Sequence, residues 1–275
     1  MSEAPESQVE AVTPSPLQEA LLRLGWKAGM APPSVEALNA HGLPDICSGS
    51  GARVEFIDAS ATGPDVPAYE VRAWRDGGIP TRAGSWHDAY NAAAWLAWPK
   101  AKRVLNDMHH QRLSLESPAP VRGTARDVLT LFDEDGLVVS CADPSLADLL
   151  REFCWKELFW SRREPVMASM RFHVFGHALA DKLRAPFRGL TAKALIFAVE
   201  PGELRMPMSA QVALLDARLA DHLRQPQALA STRVFSPLPV LGIPGWYAAN
   251  ADAVYYDDTW QFRPGRRARG VHSSA

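Results

Sequence analysis

Cysteine is scarce in this chain, and so is any excess of positive charge. The three cysteines among 275 residues, Cys47, Cys141 and Cys154, stand at no C-x-x-C spacing. That leaves neither a zinc ribbon nor a disulfide framework and fits a reducing, cytoplasmic setting. With 29 Lys and Arg against 31 Asp and Glu the formal net charge is −2, so the basic footprint of generic nucleic-acid binding is missing. Long apolar runs are missing too. Ala92 to Trp98 and Ala194 to Val199 fall far short of the ~18 residues that cross a bilayer, so a soluble protein is expected. No G-x-x-x-x-G-K-[ST] loop, G-x-G-x-x-G fingerprint or G-x-S-x-G elbow occurs. Nucleotide triphosphatases of the P-loop kind, Rossmann dehydrogenases and ordinary serine hydrolases are thereby set aside.

What is present is an ordinary globular composition, 47% apolar and 22% charged, with nine tryptophans. The opening MSEAPESQVEAVTPSP is acidic and Pro/Ser-rich, without the basic start and apolar stretch of a secretory signal. Residues 1–15 therefore read as a disordered tail, 16–264 as one globular domain without internal repeats, and 265–275 as a basic flexible tail. Nothing in the sequence speaks to oligomeric state.

Apolar spacing predicts helices over 16–28, 34–40 with Ser34 as cap, 85–98 with Ser85 as cap, and 99–113 opening on Pro99. Further helices are expected over 145–161, 170–182 and 209–223; in the second of these, Phe172, Val174 and Phe175 leave a strand start open. Strands are expected over 53–58, 69–74 and 192–199. The Asp135-Gly136 pair between two apolar runs reads as a type I′ hairpin joining 127–133 to 137–141. The fold class is α+β: a helix-rich single domain with a small mixed or antiparallel sheet and a Pro/Gly/aromatic-rich C-terminal segment.

Four stretches carry a resemblance: SWHDAYNAAAWLAWPKAKRVLNDMHH (85–110), LTLFDEDG (129–136), FGHALADK (175–182), and PLPVLGIPGW with YYDDTWQFRP (237–264). Together they resemble the bacterial family of domain of unknown function 3025, over most of the chain. The departures are mild: Trp98 stands where that pattern has Phe, Ala93 and Ala94 replace larger aliphatics, and Asp181 replaces Glu. The resemblance implies no activity, so the chemistry has to come from the residues.

His87 and Asn91 share a helix face at i and i+4, with Asp88 beside them, and Lys102, Asn106 and His110 follow at i, i+4 and i+8, with His109 at i+3 from Asn106. On one straight helix His87 and His109 would lie roughly 33 Å apart, so only a sharp break near Pro99 lets them share a site. Imidazoles and carboxylates of His87, Asp88, His109 or His110, Asp133 and His177 are of the kind that hold a divalent metal. The His87-Asp88 pair resembles that of HD-type phosphohydrolases, although their further ligands are not evident. Asp88 equally suits a helix first turn and His177 a hydrogen-bonded core, and both readings stay open. Asp133 with Glu134, and Asp257 with Asp258, are paired carboxylates that suit acid–base work or a turn. Arg72, Thr81, Arg82, Lys100, Lys102 and Arg122 could converge on an anion.

The expectation is a hydrolase-like enzyme acting on a small anionic molecule. His87, Asp88 and His177 would be catalytic; Asn91, Arg82, Lys102, Asn106 and Trp246 would bind ligand; His110 and Asp133 would hold an optional divalent metal. The alternative is a non-catalytic ligand- or protein-binding module with a sticky surface of Trp86, Trp95, Trp98 and Trp246.

Overall fold

The computed structural model describes residues 15–23, 25–27, 29–40, 46–61, 69–115 and 124–265. The two expected tails fall almost wholly outside these residues, as does Arg122; the first expected helix ends early, at Arg23, and residues 25–27 are not helical.

The chain starts with α1 (Pro16–Arg23) and α2 (Val35–Asn39), the latter capped by Ser34, whose side chain accepts from the Ala37 amide. Strand β1 (Glu55–Asp58), α3 (Tyr69–Asp76) and β2 (Gly78–Thr81) follow, and β1 pairs with β2 in parallel. Parallel neighbours need a crossover, and α3 supplies it. This corrects the strand expected over 69–74: the partner of β1 is the shorter Gly78–Thr81.

Next come α4 (Trp86–Ala97) and α5 (Pro99–Leu115), broken where expected. Ser85 caps α4 by accepting from the Asp88 amide. At the break, the amides of Lys100 and Ala101 donate to the Asp216 carboxylate at 3.0 and 2.9 Å. A carboxylate from a distant helix thus satisfies the first turn of α5, where Pro99 needs no donor.

The expected hairpin is absent. Residues Thr124–Asp135 form a helix, α6, and Gly136–Cys141 form β3 directly after it. Gly136 does not adopt the positive φ of a type I′ turn. Its role is steric, because a Cβ there would lie 2.4 Å from the Phe132 carbonyl oxygen at the helix–strand junction. The chain continues through α7 (Pro144–Arg151), a π turn (Glu157–Ser161) and α8 (Arg163–Ser169). The segment over 170–182, expected as a helix with a strand start left open at Phe172, Val174 and Phe175, does begin as a strand: it divides into β4 (Met170–Val174) and α9 (His177–Lys182). Strand β5 (Thr191–Ala198), α10 (Met208–Leu223) and β6 (Ser236–Pro239) complete the regular elements before a run of 3₁₀ turns.

The main sheet runs β4-β3-β5-β6, with β3 and β5 parallel and both edges antiparallel. Every residue of β3 is buried, as its continuous apolar run suits a strand covered on both faces. The α+β class and the mixed sheet agree with the sequence. Two apolar clusters result. The larger surrounds the main sheet; the smaller gathers Leu38, Ile46, Val54, Phe56, Ala73, Ile79, Ala92 and Trp95 around β1 and β2. Helix α4 serves both, with Tyr90, Ala93 and Ala94 on the large side and Ala92 and Trp95 on the small one. Among the described residues, no helix is long and apolar enough to cross a membrane.

Candidate functional site

Where the two clusters meet, a cavity of about 380 Å³ opens between α3, β2, α4, α5, α6 and α9. Lys102 lies at its floor with 3% of its side chain exposed. Its Nζ donates to Asp133 Oδ1 at 2.6 Å and to Asn91 Oδ1 at 3.2 Å, and sits 5.3 Å from the centre of the Trp95 ring. Asn91 Nδ2 in turn donates to the Tyr69 hydroxyl at 3.0 Å. The α4–α5 break makes this cluster, since it folds Lys102 back onto Asn91, eleven residues earlier.

His177 enters from the opposite side. The preceding glycine explains its position: a Cβ on Gly176 would lie 2.2 Å from the Glu134 carbonyl oxygen and 2.5 Å from the Gly136 nitrogen. With no side chain there, α9 begins directly against the α6–β3 junction, and the Gly176 amide donates to the Gly136 carbonyl at 2.9 Å. His177 Nδ1 thereby comes to 3.9 Å from Asp133 Oδ2, and its ring meets that of His87 edge to face, centroids 4.6 Å apart.

Burial sets the protonation states. His177 is 7% exposed, its Nδ1 has no well-formed hydrogen bond, and burial pushes its pKa down to about 4 against the upward pull of Asp133. Burial lowers His109 in the same way. Its Nδ1 is likewise buried without a hydrogen-bond partner, so both rings are neutral near pH 7. Burial acts to raise Asp133, but the Lys102 charge, with His177 and the Lys102 hydrogen bond, outweighs it and holds the carboxyl below its usual range. Burial also raises the Tyr69 hydroxyl. At the mouth, Arg82 grips Asp88 through Nε at 2.8 Å and Nη2 at 2.9 Å, and its backbone amide donates to the same carboxylate. These bonds hold Asp88 low despite partial burial.

Of the residues singled out in the sequence, His87, Asp88, Asn91, Arg82, Lys102, Asn106, Asp133 and His177 all line this one cavity. Asn106 braces the wall, accepting from the Gly49 amide and donating to the Glu70 carbonyl. Two residues do not belong. His110 stacks on Trp74, centroids 3.6 Å apart and planes within 3°, while its neighbour His109 lines the cavity. From Lys102, position i+7 returns to the same helix face and i+8 lies about 100° further round. Trp246 borders a separate cavity.

The expected metal pair is not assembled, because His110 is turned away and Asp133 is held by Lys102. Among the described residues, no group of three or more His, Cys, Asp or Glu could hold a metal ion. Among the described residues the expected anion cluster is reduced to Arg82 and Lys102, each engaged by a carboxylate. Asp257 and Asp258 pair with Lys156 and Arg188 away from the cavity. Tyr69 and Thr130 also line it, and the sequence reading gave neither a site role. Tyr69 was hidden by its assignment to a strand, although Tyr69 and Ala73 stand at helical i, i+4 spacing.

No curated protein and no solved structure matches the chain. Its affiliation comes instead from residues 54–266, the stretch that supplies every side chain named in the cavity: the chain belongs to the family described as protein of unknown function (DUF3025).

Proposed function

We propose that this cavity is the active site of a hydrolase-like enzyme that performs general acid–base chemistry on a small polar molecule. The observation that carries the reading is the meeting of His87 and His177, 4.6 Å apart, over the buried Lys102–Asp133 pair. Neutral His177 can accept a proton from water, and Asp133 would stabilise the imidazolium that forms. Lys102 and Asn91 offer donors for charge developing on an attacked oxygen. His87 would pass a proton to the leaving group.

The charge of the lining shifts the substrate class. Among the described residues, Glu70, Asp88, Asp133 and Glu134 outnumber Arg82 and Lys102 in the lining, so a neutral polar substrate fits better than the small anionic molecule expected from the sequence. A cytoplasmic setting belongs to the same reading, supported by a sequence with only three cysteines, none at C-x-x-C spacing.

The test is a panel of chromogenic esters, amides and phosphoesters with the full chain. Turnover that falls at least ~100-fold in His177→Gln, with the melting temperature retained, supports acid–base catalysis. Turnover indifferent to both His177→Gln and His87→Gln overturns it. Binding without turnover would give the alternative, a non-catalytic ligand-binding module. A protein-binding version of that alternative has less support, since of its four tryptophans Trp95, Trp98 and Trp246 are 1%, 0% and 7% exposed and Trp86 is half-buried.

A further inference from the structure

Trp246 borders a second cavity, of about 340 Å³, that shares no residue with the first. Its wall is largely apolar, with Met167, Met170, Met208, Phe172 and Ile243 beside the indole. Three flexible, polarizable methionines make a wall that adapts to a ligand of irregular shape.

Two buried polar groups interrupt that wall. His173 is 3% exposed, with Nε2 3.3 Å from Ser140 Oγ, and burial together with the Arg171 charge pushes it down to about 4. It is a neutral imidazole at physiological pH. Gln211 is 8% exposed, and its Nε2 donates to the carbonyls of Leu204 and Met206 at 3.2 and 2.7 Å. Those two bonds fix which way the amide faces, and they leave Oε1 buried without a partner. A buried acceptor in an otherwise apolar cavity calls for a donor.

We propose that this cavity is a second small-molecule site, for a neutral, mainly apolar or aromatic molecule carrying one hydroxyl that donates to Gln211 Oε1. A carboxylate is disfavoured there. Oε1 can only accept, His173 is uncharged, and the Arg171 guanidinium is turned to the carbonyls of Met167 and Met170, both 2.7 Å from Nη1. The proposal does not depend on the chemistry assigned to the first cavity.

The test titrates the full chain with 4-propylphenol and with its methyl ether, 4-propylanisole, by calorimetry and by the change in tryptophan fluorescence. The phenol should bind about tenfold more tightly than the ether, the worth of one hydrogen bond. Gln211→Met should erase that preference while still binding the ether. Met167→Trp, at a position 52% exposed, should block both probes without touching the first cavity, and stands in if Gln211→Met fails to fold. The proposal is overturned if neither probe binds, as a buried water on Oε1 would predict, or if both bind equally. A phenol preference that survives in Gln211→Met and disappears in His177→Gln would place the probe in the first cavity and overturn it as well.

Discussion

The two sides of the first cavity are built by different means. On the side of the large cluster, the polar groups are buried and hold one another: Lys102 on Asp133 and Asn91, and His177 beside Asp133. On the side of the small cluster, Arg82 is 66% exposed along its side chain and is paired at the rim. The same kind of bond, ammonium or guanidinium to carboxylate, therefore has opposite consequences. A pair at the rim is screened by water and contributes little, whereas half of a buried pair cannot be removed without stranding the other half.

The largest expected effect follows directly. Asp133→Asn leaves the Lys102 ammonium buried without its counter-charge and should cost about 3–5 kcal/mol of unfolding free energy in urea. Lys102→Met combined with Asp133→Asn should recover part of that loss. If Asp133→Asn proves as mild as a change at the rim, the distinction between the two sides collapses.

Acid should find the large side first. His173 and His177 both fall from 6.5 to about 4 on folding, chiefly through burial. Between those values the unfolded chain binds the extra protons, so stability is complete above pH 6.5 and declines as pH falls toward 4, by up to about 3 kcal/mol for each ring. Below that window the lowered pKa of Asp133 acts in the same direction. Of these two rings, His173 lies in β4 of the main sheet and His177 opens α9 just after it. Hydrogen exchange at pH 5 should therefore accelerate in β3 and β5 more than in β1 and β2. His177→Gln should flatten the pH dependence of stability measured by urea melts at pH 7 and 4.5.

The sequence exposed one half of this arrangement better than the other. Caps and helical spacing on α4 and α5 located the break at Pro99 and put Asn91 on one polar face and Lys102 with Asn106 on another, because those cues are local; that the two faces meet is seen only in the packed chain. It misread the glycines. Asp135-Gly136 has the composition of a tight turn, yet Gly136 is small because a helix ends against a strand there, and only the packed chain shows that neighbour. Gly176 is the same case: its missing side chain makes room for the Glu134 carbonyl. The helical spacing of Val128, Leu129 and Phe132, all buried, was present in the sequence and was outweighed by the turn signal.

That misreading yields a paired test of lesser size. Gly176→Ala drives a Cβ against backbone atoms of Glu134 and Gly136, which cannot move without shifting the α6–β3 junction, and should cost at least the ~1–3 kcal/mol of an overpacked core. Gly49→Ala, on the wall braced by Asn106, meets the Trp74 side chain at 2.5 Å and the Asp107 Cα at 2.9 Å. The indole can yield in part, so the thermal melt should show the smaller loss there. Gly176→Ala should also reduce turnover, since the displaced junction carries both His177 and Asp133, while Gly49→Ala should leave it near the wild-type value.

The smallest expected effect is at the rim, and it separates stability from binding. Arg82→Ala removes an ion pair that is two-thirds exposed on the arginine side, so unfolding free energy should change by no more than ~1 kcal/mol. The same substitution removes the two guanidinium bonds to the Asp88 carboxylate while the residue-82 backbone amide still donates to it, and makes the mouth of the cavity more negative. A positively charged ligand should then bind more tightly and a negatively charged one more weakly, with the difference shrinking as salt is raised. A stability loss as large as that of Asp133→Asn would show instead that the rim pair holds the two clusters together, and that the cavity is a joint of the fold rather than a space between two separately packed sides.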